Sequence, residues 1–209
     1  MSADLDRPHV WLLGAGSPPL LLLHGTGGDE HDLLPLREHL APDAPTLSVR
    51  GSVLENGMPR FFRRLSEGVF DEDDMNRRAD ELADVLGAAE RAYDVAPGSW
   101  TAVGFSNGAN IASTLLLRRP AALAGAVLLA AMAPYRDGPP VTDLSGKRVL
   151  LSNGLRDPMA TPEHTSRLTQ QLRAAGAEVK ALPHSGGHSI DAQQLPEIAR
   201  WLTGAGTVG

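Results

Sequence analysis

Leu20-Leu21-Leu22-Leu23 has no polar face. Successive side chains of a strand point to opposite sides of its sheet, so four leucines in a row need cover on both sides. That is the position of a central strand in a parallel sheet flanked by helices. Six further segments read as strands: His9-Val10-Trp11-Leu12-Leu13, Thr46-Leu47-Ser48-Val49, Trp100 to Phe105, Gly125-Ala126-Val127-Leu128-Leu129, Arg148-Val149-Leu150-Leu151-Ser152 and Glu178-Val179-Lys180-Ala181-Leu182. Several of them are continuously apolar as well.

Helical patterns fall between these runs. Leu33, Leu36 and Leu40 mark the first helix. Asp74 to Tyr93 carries Met75, Ala79, Leu82, Leu86 and Ala89 at helical spacing. A third helix follows Gly108 and ends before Pro120. Thr161-Pro162-Glu163 supplies a cap, a first-turn proline and a first-turn acid for a fourth, which Gly176 ends. The last runs from about Asp191 to Leu202. Strands alternating with helices predict an α/β fold: a central, mostly parallel sheet of about seven strands with helices on both faces. The 209 residues suffice for one such domain and leave no room for a large lid domain. Residues 1–209 are therefore expected to form a single domain, with a frayed tail over residues 203–209. One stretch fits no core element: residues 51–73 read as irregular and hold three of the four phenylalanines, Phe61, Phe62 and Phe70. Such a segment either caps a pocket or packs down as a surface loop, and it could also form a contact between two copies of the chain.

Gly104-Phe105-Ser106-Asn107-Gly108 lies between the Trp100 strand and the third helix. In a G-x-S-x-G turn between strand and helix, a serine is held on a sharp bend with its hydroxyl exposed. The pattern makes Ser106 a candidate nucleophile. A serine hydroxyl attacks only when a base takes its proton and a third group holds that base, and in this context the partners follow in the order serine, acid, histidine. Asp157, a few residues after the Arg148 strand, is the acid candidate. It could equally be an Asp-Pro turn former. Asp137 and Asp143 rank lower, in the loop beside Gly138-Pro139-Pro140. His188, after the last strand and next to Gly186-Gly187, is the base candidate; His184 is its rival. An oxyanion hole needs two backbone N–H donors. Asn107 would give one, and Thr26, in the loop Leu23-His24-Gly25-Thr26-Gly27-Gly28-Asp29, the other. That loop lacks the Gly-Lys-Ser/Thr of a phosphate cradle. His24 reads as a brace of the loop rather than a catalyst.

His24, Asp29, His31 and Asp32 lie close together in sequence, but acids are favoured at a helix start in any case, so no metal is expected. With 19 Lys and Arg against 25 Asp and Glu, the formal charge of −6 provides no footprint for nucleic acid. There is no cysteine, which removes disulfides, zinc-thiolate sites and a cysteine nucleophile. Met1 to Arg7 lacks a basic stretch followed by an apolar core, and Leu20 to Leu23 is far short of the roughly 20 residues that cross a bilayer. The expectation is a cytoplasmic protein with no membrane partner.

Taken in order and spacing, Leu23 to Glu30, Gly104 to Asn110, Gly154-x-x-Asp157-Pro158 and Gly187-His188 resemble the phospholipase/carboxylesterase family of α/β-hydrolases. That family includes acyl-protein thioesterases and small bacterial carboxylesterases. The likeness runs over nearly the whole chain. It implies Ser106, Asp157 and His188 as a catalytic triad, with Thr26 and Asn107 as oxyanion donors. Many relatives carry glutamine at the position of Asn107, but the donor is the backbone N–H. Arg60-Phe61-Phe62-Arg63-Arg64 looks like a segment of bacterial members of the esterase type; Phe61, Phe62 and Met159 are the candidate substrate-binding residues. The implied activity is hydrolysis of a small to medium carboxylic ester without a cofactor. The alternatives are an acyl thioesterase or lysophospholipase of the same family, a non-catalytic ligand-binding protein on the same fold, and a metal-dependent hydrolase.

Overall fold

The computed structural model describes residues 5–66 and 68–204. In chain order the strands are β1 His9–Leu12, β2 Leu20–Leu23, β3 Thr46–Val49, β4 Val53–Glu55, β5 Met58–Arg60, β6 Arg64–Ser66, β7 Val69–Phe70, β8 Thr101–Phe105, β9 Gly125–Leu129, β10 Arg148–Ser152 and β11 Glu178–Ala181. The helices are α1 Leu34–Leu40, α2 Glu72–Tyr93, α3 Asn107–Arg118, α4 Pro162–Ala174 and α5 Leu195–Leu202, the last preceded by a 3₁₀ turn, Ala192–Gln194. Seven strands form one sheet in the order β1-β3-β2-β8-β9-β10-β11. β1 pairs antiparallel with β3, and every other pairing in that sheet is parallel.

The four leucines of β2 are all fully buried, and alternate ones go to different cores. Leu21 and Leu23 pack with Met75, Leu82 and Leu86 of α2 and Ile111 and Leu115 of α3. Leu20 and Leu22 pack on the opposite face with Leu36 and Leu40 of α1 and Ile198 and Leu202 of α5. Burying a leucine side chain contributes about 1.5–3 kcal/mol, so an unbroken apolar run is the stabilising choice only where both faces are covered. Asp71 caps α2 through the Asp74 N–H, which starts that helix two residues before the apolar spacing alone suggests.

Strand order places the functional edge. β2 connects through α1 to β3 on one side, while β8 connects through α3 to β9 on the other. Adjacent strands whose connections leave in opposite directions open a crevice at their carboxyl ends. The Thr26 loop follows β2 and Ser106 follows β8, so both stand in that crevice.

The segment expected to be irregular is ordered into two small hairpins, β4–β5 and β6–β7. Asn56 and Gly57 both take positive φ, 52° and 78°, as a two-residue hairpin turn of mirror-image type requires. The Asn-Gly dipeptide is a direct sequence signal for that turn, and the alternation around it is too short to stand out. From β5, Pro59 accepts a hydrogen bond at 2.9 Å from the Gly27 N–H, which ties the hairpin to the loop after β2. At the other end of the chain, Thr203 and Gly204 close the last helical turn, while the expected frayed tail from residue 205 onward lies outside the described residues. Among the described residues no helix is long and apolar enough to cross a membrane.

Candidate active site

Ser106 is the single residue between β8 and α3, with φ 52° and ψ −113°. Positive φ costs a residue with a side chain about 1–3 kcal/mol and persists only where the surroundings impose it. Here the Ser106 N–H donates to the Leu129 carbonyl at 2.8 Å, and its own carbonyl accepts from the Asn110 N–H at 2.9 Å. The flanking glycines are dictated by close approach. A Cβ on Gly108 would lie 2.0 Å from the Leu23 carbonyl oxygen, and one on Gly104 would lie 2.5 Å from the Gly108 carbonyl oxygen. No side chain fits either gap, so the turn can pack only with glycine at both places.

His188 stands over this turn. Its Nε2 lies 2.9 Å from Ser106 Oγ and its Nδ1 lies 2.7 Å from Asp157 Oδ2. The Asp157 carboxylate is fully buried, and its other oxygen accepts from the Met159 and Ala160 N–H groups at 2.8 and 2.9 Å. A carboxylate only accepts, so Nδ1–H is the donor and the Nε2 lone pair is left facing the serine hydroxyl. The two loops that carry the acid and the base are stitched by backbone bonds from Leu155 N–H to His184 carbonyl and from Arg156 N–H to Gly186 carbonyl. Gly154 makes that approach feasible: a Cβ there would sit 2.2 Å from the Gly187 carbonyl oxygen. The structure therefore brings together Ser106, Asp157 and His188, three residues far apart along the chain. Two of the rivals make other contacts. Asp143 accepts from the Ser145 N–H in an exposed turn, and His184 accepts from the Gly186 N–H at 3.2 Å.

Thr26 and Asn107 both line the cavity above the serine. Among the described residues, neither backbone N–H donates to a protein oxygen. Asn107 opens α3, where the first N–H groups have no partner within the helix and the helix dipole favours negative charge. Its side chain is employed differently, with Oδ1 accepting from the Phe61 N–H at 2.7 Å.

His24 holds the loop from below. Its Nδ1 lies 2.6 Å from the Gly25 carbonyl, and its Nε2 accepts from the Gly51 N–H at 2.9 Å. Both nitrogens are spent, and burial pushes its pKa below the ordinary histidine value. The sign of the consequence follows from linkage. Below the ordinary value of about 6.5 the unfolded chain takes up a proton that the folded chain resists, so stability is lost as pH falls through that point and below it. Urea unfolding between about pH 7 and pH 5 should show a shallower loss in His24→Asn than in the wild type. Equal slopes would remove His24 as the cause.

The cavity has a volume of about 280 Å³. Met159, expected at the pocket, lines it. Phe61 and Phe62, expected as pocket walls, do not: they are 2% and 0% exposed and belong to the core beneath. Phe61 packs on the His24 ring at 4.8 Å, and Phe62 meets Phe70 edge-on at 5.1 Å. Burial rewards the apolar area of both rings more than a solvent-facing wall would. The wall positions go instead to Arg60, Arg64 and Phe70 of the same segment. Sequence reasoning also missed Asn110, whose Oδ1 accepts from the Met132 N–H at 2.8 Å and fixes the loop after β9 against the cavity. An amide side chain one turn past the serine was the available signal.

Of the residues weighed as metal ligands, Asp29 and His31 do lie together, with Glu30. Glu30 makes a two-point pair with Arg50 at 2.5 and 2.8 Å, and Asp29 accepts from the His31 N–H. These carboxylates are engaged by the protein itself.

No family model matches the chain. It is 46% identical over 193 residues to MhqD of Bacillus subtilis (strain 168), provisionally named a hydrolase; the match spans 92% of this chain and 96% of that protein. The Bacillus cereus carboxylesterase superposes with a TM-score of 0.93 at 43% identity, over 97% of this chain and 96% of that one. A carboxylesterase from Mesorhizobium loti gives a TM-score of 0.89 at 32% identity, covering 97% of each chain. At these identities and coverages relationship extends beyond fold to family. The chain belongs to the carboxylesterase-type family of α/β-hydrolases.

Proposed function

We propose that the protein is a serine hydrolase that cleaves carboxylic esters of small to medium size through an acyl-enzyme. The observation that carries this reading is the chain of two short contacts, 2.9 Å from Ser106 to His188 and 2.7 Å from His188 to Asp157. His188 takes the hydroxyl proton as Ser106 Oγ attacks the ester carbonyl. The Thr26 and Asn107 N–H groups receive the negative oxygen, and among the described residues they have no other acceptor to leave. Asp157 holds the imidazole in the reactive tautomer and stabilises the imidazolium. His188 then protonates the departing alcohol. In the second half His188 activates water, which releases the acid and restores Ser106. The chemistry uses no metal or cofactor, and the cavity volume of about 280 Å³ suits a compact acyl or alcohol group. The protein should hydrolyse 4-nitrophenyl acetate at a rate unchanged by a chelating agent. A rate abolished by the chelator would point to a metal-dependent hydrolase instead. Matched oxygen esters and thioesters should favour the oxygen ester, and a preference for the thioester would move the assignment to an acyl thioesterase.

A further inference from the structure

Two arginines stand in the wall of the Ser106 cavity. Among its described lining residues there is no aspartate or glutamate. Arg60 is 4% exposed and Arg64 is partly buried. Behind them a single carboxylate serves both: Glu55 lies 3.1 Å from Arg60 Nε and 3.0 Å from Arg64 Nε. Among the described residues the two guanidiniums share that one carboxylate, while the Asp157 carboxylate beside the cavity is engaged by His188 and by two backbone N–H groups. Burying a guanidinium is costly unless its donors are met. Arg60 Nε also donates to the Phe62 carbonyl at 3.3 Å, whereas among the described residues its Nη2 donates to no protein oxygen. Burial and the neighbouring Arg64 both lower the Arg60 pKa while Glu55 raises it, yet a guanidinium remains charged at any ordinary pH.

Arg60 is also coupled to the reacting end of the cavity. Its Nη1 donates to Thr26 Oγ1 at 2.8 Å. Three steps of hydrogen-bond length separate the guanidinium from an oxygen held on the Thr26 N–H, so the two lie within about 9 Å. A second charged group recognised here must therefore sit a few bonds from the scissile carbonyl. Guanidiniums present planar forks of donors that match carboxylate oxygens.

We propose that the substrate is a short ester that itself carries a carboxylate, such as a half-ester of a small dicarboxylic acid, and that Arg60 and Arg64 bind that carboxylate. This inference rests on the esterase reading of Ser106. The reaction is unaltered: the ester C–O bond breaks, water gives its hydroxyl to the acyl carbon and a proton to the alcohol, and the recognised carboxylate takes no part. Neither arginine is a catalytic residue. Arg64 selects, and Arg60 both selects and positions Thr26.

The test compares monomethyl succinate with methyl 4-methylpentanoate, in which an isopropyl group replaces the carboxylate, by following acid release at constant pH. The expected kcat/KM is at least about tenfold higher for the charged ester, the range of a charge-assisted hydrogen bond, and the ratio should shrink as salt is raised. Arg64→Gln should collapse the ratio towards one, and Arg64→Lys should restore part of it. A measurement on the wild type alone stands beside the variants: succinate should inhibit cleavage of the neutral ester at least about tenfold more strongly than succinamide, which carries no carboxylate. Equal turnover of both esters, or a ratio that survives Arg64→Gln, would overturn the carboxylate site and leave the esterase reading in place. If neither ester is hydrolysed by wild-type protein that does cleave 4-nitrophenyl acetate, the carboxylate site alone falls. If 4-nitrophenyl acetate is not cleaved either, the esterase reading falls and this inference falls with it.

Discussion

Ser106→Ala is expected to lower kcat for ester hydrolysis by about 10⁴–10⁶-fold while the folded state is kept. The size follows from what the hydroxyl does. Without Oγ there is no acyl-enzyme, and only the oxyanion donors and binding remain to accelerate direct attack by water. The fold should survive because the strain at residue 106 is in the backbone, at φ 52°, and alanine carries the same Cβ. The bonds that impose that conformation, to Leu129 and from Asn110, are made by the main chain and do not involve the hydroxyl. Thermal unfolding within a few degrees of the wild type, together with lost turnover, is the expected pair of results. Retained turnover would place the nucleophile elsewhere.

Asp157→Asn should lower kcat by roughly 10³–10⁴-fold, with KM little changed. Asparagine keeps an oxygen for the Met159 and Ala160 N–H groups, so the turn that carries residue 157 should stay formed. The change falls on the other atom. An NH₂ group would face His188 Nδ1 at the place where Oδ2 now accepts at 2.7 Å. Two donors cannot share that contact, so the imidazole shifts its proton to Nε2. Nε2–H then points at Ser106 Oγ, 2.9 Å away, and can no longer take its proton. Steady-state kinetics checks this, and a loss of less than tenfold would mean that Asp157 serves the turn more than the histidine.

Most of the sheet is legible in the sequence because its signal is local. Leu20 to Leu23, Gly125 to Leu129 and Arg148 to Ser152 each declare two-sided burial within five residues, and each is a strand. The candidate triad is legible for a different reason. Ser106, Asp157 and His188 each stand just after a strand, and parallel strands deliver their carboxyl ends to one edge. Side-chain direction was not legible in residues 51–73. Phe61 and Phe62 went to the core and Arg60 and Arg64 to the cavity, against the ordinary expectation that aromatics wall a pocket and arginines face water. That outcome depends on long-range partners: Asn107 fixes the Phe61 backbone and Thr26 receives Arg60. No short window of sequence contains those pairs.

The central claim is that His188 and Asp157 make the Ser106 hydroxyl a nucleophile. Mass spectrometry after exposure to a fluorophosphonate tests it most directly, because the reagent reports activation of a serine without reference to any substrate. One adduct per chain is expected, on the peptide that contains Ser106, and it should be lost in His188→Ala. A folded wild-type protein that takes up no label, or takes it up on a different residue, would contradict it.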